Sequence, residues 1–332
     1  FSGSTVKLGA NIDISESEWV PVGTETAPFA GTFDGQNLTV TGLQITNSEL
    51  TANIGFFGYV SGTIKNFNIK NANVSSELTG NNIGIACGYS AGLVSGISVS
   101  GYLTAEYFTN VGGVVGTVYY KGNGNYTELH NTADVTGKEY VGGVAGKLHA
   151  YTSLNSLATK VGNFSNKGNI TATGDYVGGV CGYLKRSDDR YEPALNVNEF
   201  SNEGSVTTKG NYVGGIAGYV YGTSTASYMK TCSNNSSVEG KAYVGGIAGK
   251  AENTTVDNCD NTGTTLSAKF ITEDNSLAYL GGYVGYGYSI KNCDNAVNID
   301  YTYEAYYIGG IAGYLTNVIS ACSNSGVINA PK

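Results

Sequence analysis

A glycine-rich module that recurs nine times along the chain constrains the fold more than any other sequence feature. Its fullest form is Tyr176-Val-Gly-Gly-Val-Cys-Gly182, and the final glycines of successive copies lie 28 to 36 residues apart. Self-similarity at such a period is typical of solenoids and propellers. The segments are rich in Val, Ile, Tyr and Thr and lack apolar residues at helical spacing, which predicts strands. The chain is therefore expected to form a β-solenoid or a β-propeller.

A second module, centred on an asparagine, lies between the glycine modules and favours the solenoid. Each unit then holds two strand-like pieces, which is too few for a four-stranded propeller blade but fits one coil of a parallel β-helix. Equivalent residues would stack about 4.8 Å apart. We expect the asparagines to take the left-handed turn conformation and to bond to one another in a ladder, with the Cys or Phe two residues earlier pointing inward. The ladder positions are Asn131, Asn166, Asn202, Asn234, Asn261, Asn295 and Asn324.

Charge and hydropathy limit the classes of partner. The chain has 18 basic and 26 acidic side chains, a net charge of −8, which disfavours nucleic acid and anionic membranes as partners. No apolar run is long enough to span a membrane. Because the repeat is uninterrupted, we predict a single domain over residues 1–332, with 1–50 as an N-terminal cap and 51–332 as repeat coils. The abrupt start at Phe1 is what we expect of a secreted protein trimmed of its export signal.

The cysteines and paired carboxylates have structural interpretations. Cys232, Cys259, Cys293 and Cys322 share one repeat position, which predicts small buried side chains, although stacked neighbours could also form a disulfide. Asp260 and Asp294 occupy equivalent positions, and paired carboxylates can bind Ca²⁺ or hydrolyse glycosides. Serine fills that position in other copies, which favours turn capping. We expect no metal, no cofactor and no catalytic residues.

The N-terminal region carries a family resemblance. The leader contains the only Trp, at position 19, and is followed by Ile54-Gly-Phe-Phe-Gly-Tyr-Val-Ser-Gly-Thr-Ile-Lys-Asn66. This combination resembles bacterial surface proteins with GLUG-type repeats, and the resemblance covers essentially the whole chain. It implies a right-handed parallel β-helix on an exported, adhesin-like protein, located outside the cell or on its surface. The nine glycine modules predict about nine coils, preceded by the N-terminal cap. It supplies no catalytic residues.

Four consecutive units carry insertions at one coil position, at residues 117–128, 147–163, 183–199 and 219–231. Insertions at one position of a solenoid emerge on one face, often the binding face. Tyrosine offers a rigid ring with a polar tip, so these segments predict a surface for a glycan or a surface protein, although the loops could instead pack against the solenoid. The predicted ligand-binding residues are Tyr119, Tyr120, Tyr126, Tyr151, Arg186, Arg190, Tyr191, Tyr221 and Tyr228.

The tyrosines that flank the glycine modules keep a strict register and predict a structural stack rather than a site. They are Tyr140, Tyr176, Tyr212, Tyr243, Tyr279 and Tyr307, with Tyr183, Tyr219 and Tyr314 on the other flank. Taken together, the sequence indicates a non-enzymatic, adhesin-like surface protein. One alternative is a carbohydrate-binding module of a polysaccharide-utilisation system, and another is a polysaccharide lyase or glycoside hydrolase. The oligomeric state is left open.

Overall fold

Residues at equivalent repeat positions pair with one another in parallel, coil over coil. The computed structural model describes residues 2–46, 49–121, 125–151, 161–186, 195–268, 278–301 and 307–329, and for residues 120, 121, 150, 151, 186 and 268 it describes the backbone alone. In these ranges the chain is all-β, without a helix, and its parallel strands stack as a β-solenoid of about nine turns. The predicted fold class is confirmed. The right-handed winding stays a prediction, in line with the usual hand of parallel connections.

The strands are short and numerous. The first coils contain β1 (Thr5–Lys7), β2 (Ile12–Asp13), β3 (Thr32–Thr41), β4 (Gln44–Ile45), β5 (Ala52–Ile54), β6 (Phe57–Val60), β7 (Thr63–Ser75), β8 (Gly80–Gly84), β9 (Cys87–Ser90), β10 (Leu93–Thr104), β11 (Phe108–Gly112) and β12 (Val115–Lys121). The central coils contain β13 (Tyr126–Asn131), β14 (Asp134–Gly137), β15 (Glu139–Gly142), β16 (Ala145–Tyr151), β17 (Val161–Asn166), β18 (Ile170–Ala172), β19 (Val177–Gly178), β20 (Cys181–Arg186), β21 (Asn196–Asn202), β22 (Val206–Thr208), β23 (Val213–Gly214), β24 (Ala217–Tyr221), β25 (Ser227–Lys230), β26 (Ser233–Asn234), β27 (Val238–Gly240), β28 (Val244–Gly245) and β29 (Ala248–Asp257). The last coils contain β30 (Asp260–Asn261), β31 (Thr265–Ala268), β32 (Tyr279–Gly281), β33 (Val284–Lys291), β34 (Asp294–Asn295), β35 (Asn298–Tyr301), β36 (Tyr307–Gly309), β37 (Ala312–Leu315), β38 (Ile319–Ser320), β39 (Ser323–Asn324) and β40 (Ile328–Asn329).

The core consists of columns of like residues. The first residues of the glycine modules pair in a nine-stranded sheet, in which Val141 pairs with Val177 and Val177 with Val213. All three are fully buried. Burial of each such side chain stabilises the fold by roughly 1.5–3 kcal/mol. The predicted inward column is also present, because Phe164 stacks on Phe200 at a centroid distance of 4.7 Å and both are fully buried.

The asparagine ladder is confirmed. Each Nδ2 donates to the Oδ1 of the asparagine in the next coil over distances of 2.7 to 3.3 Å, from Asn131 to Asn324. Most members also donate to the carbonyl two residues ahead, as Asn166 does to Gly168 at 2.8 Å. Six of the seven are buried. Each buried amide is therefore hydrogen-bonded, as burial of a polar group requires.

The prediction that the ladder asparagines occupy the left-handed turn is wrong, because none of them has a positive φ. The turn lies three residues earlier, directly before the inward Phe or Cys column, where φ is between 49° and 60°. That position is filled by Glu128, Asn163, Glu199, Thr231, Asn258, Asn292 and Ala321. The chain therefore turns three residues before each ladder asparagine, and the asparagine side chains that follow the turn point inward.

The two recurring modules contact each other inside every coil that has both. A β-carbon added to Gly179 would lie 2.3 Å from Cγ of Asn202, and the other second glycines meet their ladder asparagine in the same way. In the coil before the ladder begins, Ile85 stands at the second-glycine position and Val99 at the ladder position. A coil with asparagine at the ladder position therefore has glycine at the second-glycine position. The coil with Val99 at the ladder position has the apolar Ile85 there instead.

All six thiols are free. Cys232, Cys259 and Cys293 are buried, as predicted for this column, and Cys322 is partly buried. Burial raises the pKa of the Cys293 thiol to about 12. At the other end of the solenoid, β1 and β2 both pair with β3. Trp19 stacks on Phe56 at 4.5 Å and donates from Nε1 to the carbonyl oxygen of Phe56, so this region covers the first core layers.

Candidate functional site

The corner that precedes each glycine module changes its chemistry along the solenoid. In the first three copies it holds Asn53, Asn82 and Asn110, whose amides form a short second ladder with bonds of 2.9 and 2.8 Å. In the next six copies the corner holds tyrosine, beginning with Tyr140. Oδ1 of Asn110, the last amide before the change, is buried and has no hydrogen-bond partner in the described residues. The surface of the solenoid therefore switches from amides to aromatic rings at this point.

The six corner tyrosines form one continuous stack, as predicted. Successive ring centroids are 4.7 to 4.9 Å apart and the ring planes deviate by 0° to 20°. The members are Tyr140, Tyr176, Tyr212, Tyr243, Tyr279 and Tyr307. Aromatic pairs contribute about 0.5–1.5 kcal/mol beyond their buried area. The stack is therefore ordered before any ligand arrives.

Four of these tyrosines adopt a backbone conformation that their residue type disfavours. Tyr140, Tyr176, Tyr212 and Tyr243 have φ values between 52° and 62°. The asparagines of the same column have φ values of 56° to 60°, and asparagine tolerates this region far better than a bulky ring does. A residue held there costs on the order of 1–3 kcal/mol, and such outliers cluster at functional sites. Asparagine would build this corner with less strain.

A second column of side chains lies beside the stack, on the strand that follows each glycine module. Its members pair in register and are Lys147, Tyr183, Tyr219, Lys250, Tyr286 and Tyr314. Tyr183 packs edge-on against both Tyr140 and Tyr176, at 5.9 and 6.0 Å. The same contact recurs between Tyr279 and Tyr286 at 5.9 Å. We call the two columns together the tyrosine face.

The charged groups of the tyrosine face are largely compensated. Lys250 Nζ lies 2.8 Å from Glu252 Oε2 and 5.2 Å from the ring of Tyr219. The hydroxyl of Tyr219 donates to the same carboxylate at 2.5 Å. Burial alone would raise the pKa of Glu252, but the hydrogen bonds from Lys250 and Tyr219 hold that pKa below its usual value. Lys147 Nζ sits 3.6 Å from the ring centroid of Tyr140, where burial lowers the pKa of the ammonium.

The hydroxyls of the stacked tyrosines are available to a ligand. Among the residues that the structure describes, none of the six makes a hydrogen bond within the protein, and none of their oxygens is buried without a partner. Burial, followed by the neighbouring tyrosines, raises the pKa of Tyr176 to about 12. Burial likewise raises the pKa of Tyr140 and Tyr243. These hydroxyls are therefore neutral near pH 7 and can both donate and accept.

Two of the sequence-predicted site residues border this face. Tyr119 and Tyr221 belong to a third column, two residues beyond the second, in which each pairs in register with its neighbours. Tyr221 contacts Tyr219 at 6.4 Å, and Tyr119 lies 5.6 Å from His149, which in turn lies 5.7 Å from Tyr183. The bases of the predicted insertions therefore adjoin the tyrosine face.

The remaining predicted residues are placed differently. Tyr126 is fully buried and its hydroxyl donates to the carbonyl of Gly92 at 2.9 Å, so its expected place on a binding surface is corrected: it is a core side chain. Tyr228 is partly exposed and pairs with Asn196 on a strand apart from the face. Only the backbone of Tyr120, Tyr151 and Arg186 is described, at strand ends, and Arg190 and Tyr191 lie outside the described residues.

The paired carboxylates have a structural role at one of the two positions. Asp294 Oδ1 accepts hydrogen bonds from the backbone nitrogen and the hydroxyl of Ser323 in the next coil, at 3.0 and 2.6 Å, so its structural role is to link two coils rather than to cap its own turn as predicted. Within the described ranges, no cluster of three or more His, Cys, Asp or Glu side chains is arranged to hold a metal ion. No helix in that part of the chain is long and apolar enough to cross a membrane.

The corner tyrosines were predicted as a stack but not as a site. The signal that could have identified them is the exchange of asparagine for tyrosine at one repeat position after the third copy. Sequence reasoning did not assign that position a left-handed conformation, because tyrosine is not a residue type that suggests one. Without knowledge of the positive φ angles, the exchange of asparagine for tyrosine would be interpreted only as a difference in side-chain packing.

Comparison with known proteins supports the expected resemblance. The chain carries a GLUG motif. The family model, described as the GLUG motif, matches residues 240–267, which include Tyr243, Lys250 and Asn261 and thus one repeat of the face and of the ladder. Halomucin from Haloquadratum walsbyi is 32% identical over 127 residues, which cover 34% of this chain and 1% of halomucin. No solved structure matches the chain significantly.

These findings suggest a surface-associated protein. The repeat and the β-solenoid fold are compatible with a protein that is not an enzyme.

Proposed function

We propose that this protein is a non-enzymatic, adhesin-like surface protein that binds a glycan through the tyrosine face. One observation carries the proposal: six stacked tyrosines present hydroxyls that make no hydrogen bond within the described residues, and four of them are held in a backbone conformation that asparagine would adopt at lower cost. A purely structural corner has no need of this exchange. The first three copies already satisfy the corner with an amide ladder.

The physical properties of the face suit a polyhydroxylated ligand. Each hydroxyl can donate to and accept from a sugar hydroxyl, and the rings are rigid, so little conformational entropy is lost on binding. Tyrosine is favoured in binding surfaces for the same combination of contact area, rigidity and polar tip. The stacked rings cover one another, so the ligand would meet ring edges and hydroxyls rather than open aromatic planes.

The location and the role of the insertions belong to the same proposal. The comparisons support surface association, and we propose that the protein is exported by a bacterium and acts outside the cell or on its surface. The insertions would extend the binding surface, since Tyr119 and Tyr221 at their bases border the tyrosine face. A carbohydrate-binding module of a polysaccharide-utilisation system would use the same face.

A glycan-array screen tests the proposal. The wild-type chain is compared with the triple variant Tyr176→Asn/Tyr212→Asn/Tyr243→Asn, which should fold because asparagine occupies this corner in the first three copies. The matched control is Tyr102→Asn, which replaces a tyrosine that is 63% exposed and lies outside the face. We expect the triple variant to lose glycan binding with unchanged β-sheet circular dichroism, and the control to bind like wild type.

Two outcomes contradict the proposal. If the wild-type chain and the triple variant bind the same glycans equally well, the tyrosine face is not the binding surface. If the protein cleaves a polysaccharide that it binds, as judged by new reducing ends or unsaturated sugars, the non-enzymatic part is wrong, and the lyase or hydrolase alternative takes its place.

A further inference from the structure

Resting on the proposed function, we infer that the tyrosine face binds a neutral, linear glycan chain that lies parallel to the solenoid axis and is recognised along its length rather than at its end. The inference concerns the class of ligand. It follows from the repetition of the face, from its shape and from its charge, which are independent of one another.

The repetition of the face matches a polymer better than a single sugar. The rings of its corner column recur every 4.7 to 4.9 Å, and the planes of successive rings lie within 20° of each other. Five such steps at about 4.8 Å give a row of about 24 Å. One sugar residue reaches only one or two of these rings. Only an extended chain along the row can engage all six, and its repeated units would meet repeated, equivalent groups.

The shape of the face does not favour recognition of a chain end. A site that selects a terminal sugar is normally concave and lined by different, convergent polar groups. The corner column of the tyrosine face instead presents one kind of group, the tyrosine ring with its hydroxyl, repeated from coil to coil. Two depressions of the described surface lie away from the face: one is lined by residues 13–19, and the other by Ser227, Tyr228 and Lys230 with residues of the following coils. Neither includes a member of the tyrosine face.

The charge of the face favours a neutral chain. A polyanionic glycan would require cations free to bond its carboxylates or sulfates. Lys250 is instead bonded to Glu252. Lys147 lies over the ring of Tyr140, close to the opposite charge of Glu139. The corner column itself contains tyrosine and no lysine or arginine from Tyr140 to Tyr307. The row therefore offers hydrogen bonds without net positive charge.

A chain-length series tests this inference. Cello-, xylo- and manno-oligosaccharides of one to eight residues are titrated into the full chain by calorimetry. For whichever series binds, we expect no measurable binding of the monosaccharide and a gain in affinity with each added residue until the ligand spans the row. The total gain should be on the order of 100-fold, because each added contact is intramolecular once the first is made.

Variants at the ends of the row supply a readout that a structural role would not produce. Tyr307→Asn shortens the row by one position, so affinity should stop rising one step earlier, while the shortest ligands that bind should keep their wild-type affinity. Tyr212→Asn interrupts the row, so it should lower the affinity for long ligands more than the affinity for short ones. Tyr102→Asn should leave the whole series unchanged.

The inference is overturned if a short oligosaccharide binds as tightly as the longest one, or if Tyr307→Asn leaves the length dependence unaltered. It is also overturned if only acidic glycans bind. Each of these results would leave the proposed function standing, because a glycan would still bind in a manner that depends on Tyr176, Tyr212 and Tyr243. Failure of the proposed function itself would be visible earlier, in the array.

Discussion

The amide of Asn202 packs directly on the α-carbon of Gly179, so closely that a β-carbon there would lie 2.3 Å from Asn202 Cγ. This contact joins the two recurring modules of one coil. It explains why a second glycine appears wherever the ladder asparagine does, and why Ile85 can replace the glycine in the coil where Val99 replaces the asparagine. The repeat is therefore a pair of complementary positions rather than two separate motifs.

Substitution of Gly179 should be strongly destabilising. In Gly179→Ala the new methyl group would also lie 2.1 Å from the carbonyl oxygen of Gly215, and backbone on that side cannot yield easily. Overpacking of this kind typically costs about 1–3 kcal/mol. We expect a loss of about 3 kcal/mol in the free energy of unfolding, measured by urea denaturation. Gly9→Ala is the matched control, since nothing lies within 4 Å of a β-carbon there; equal stability of the two variants would contradict the close contact.

Removal of one ladder amide should take hydrogen bonds from buried partners in both neighbouring coils and in its own coil, where Asn202 also bonds to Gly204. In Asn202→Ala, Nδ2 of Asn166 loses an acceptor and Oδ1 of Asn234 loses its donor. An unsatisfied buried polar group costs about 1–3 kcal/mol. We expect the midpoint of urea unfolding to fall by an amount that corresponds to about 3 kcal/mol. Ser201→Ala, at the neighbouring outward position, should change stability by less than about 0.5 kcal/mol. Similar midpoints for both variants would show that the ladder contributes little.

The strained corner should distinguish asparagine from alanine. Tyr212 has a φ of 57°, and both Tyr212→Asn and Tyr212→Ala lose the same three ring contacts, with Tyr176, Tyr219 and Tyr243. Because asparagine tolerates the left-handed region better than alanine, the Asn variant should be the more stable of the two by about 1 kcal/mol. Thermal or urea unfolding of the pair measures this difference. If alanine were equal or better, the backbone strain assigned to the corner would be wrong.

The tyrosine stack should make the protein sensitive to alkaline pH. The pKa of Tyr176 is raised from its ordinary value of 10 to about 12. Between these values the unfolded chain loses phenolic protons that the folded chain keeps, so the free energy of unfolding should fall as pH rises from 10 to 12 and be unaffected by this group below 10. Phenolate absorbance at 295 nm, followed beside circular dichroism, tests this. Complete ionisation near pH 10 with the fold intact would contradict the raised pKa.

The thiols should differ in reactivity according to their burial. Burial raises the pKa of Cys87, Cys181 and Cys293, and a protonated, inaccessible thiol reacts slowly with alkylating reagents. Cys322 alone among the six is only partly buried. We expect iodoacetamide to modify Cys322 first in the native protein and all six after denaturation, as read by peptide mass spectrometry. Early modification of Cys181 would indicate that the glycine modules open.

Sequence reasoning located the columns but not the backbone between them. The recurrence of Asn166 and Asn202 at one phase was enough to predict the ladder, because parallel stacking places equivalent residues side by side. It did not reveal that the turn falls at Glu199 and Thr231, since neither residue type signals a left-handed conformation. The register of the strands can be predicted because the same residue types recur at equivalent positions. The position of the turn cannot, because it depends on backbone conformation and different residue types occupy it in different coils.

The predicted site was affected by the same limitation. Tyr126 lies in the predicted insertion 117–128, but it is the first residue of strand β13, where it pairs with Val161 and its ring is fully buried. Tyr119 and Tyr221 are partly exposed beside the tyrosine face, and their role in binding stays a prediction. The corner tyrosines are a candidate site because of their positive φ angles, which the sequence does not reveal. These angles show that tyrosine at this corner costs backbone strain that asparagine would largely avoid.

The two amide ladders run in opposite directions. In the buried ladder every bond points from Asn131 toward Asn324, whereas at the corner Asn110 donates to Asn82 and Asn82 to Asn53. Aligned hydrogen bonds polarise one another, so the amides of the buried row reinforce each other. The buried row is therefore directional: Asn131 is its first donor and Asn324 its last acceptor, so the two ends of the ladder are chemically different.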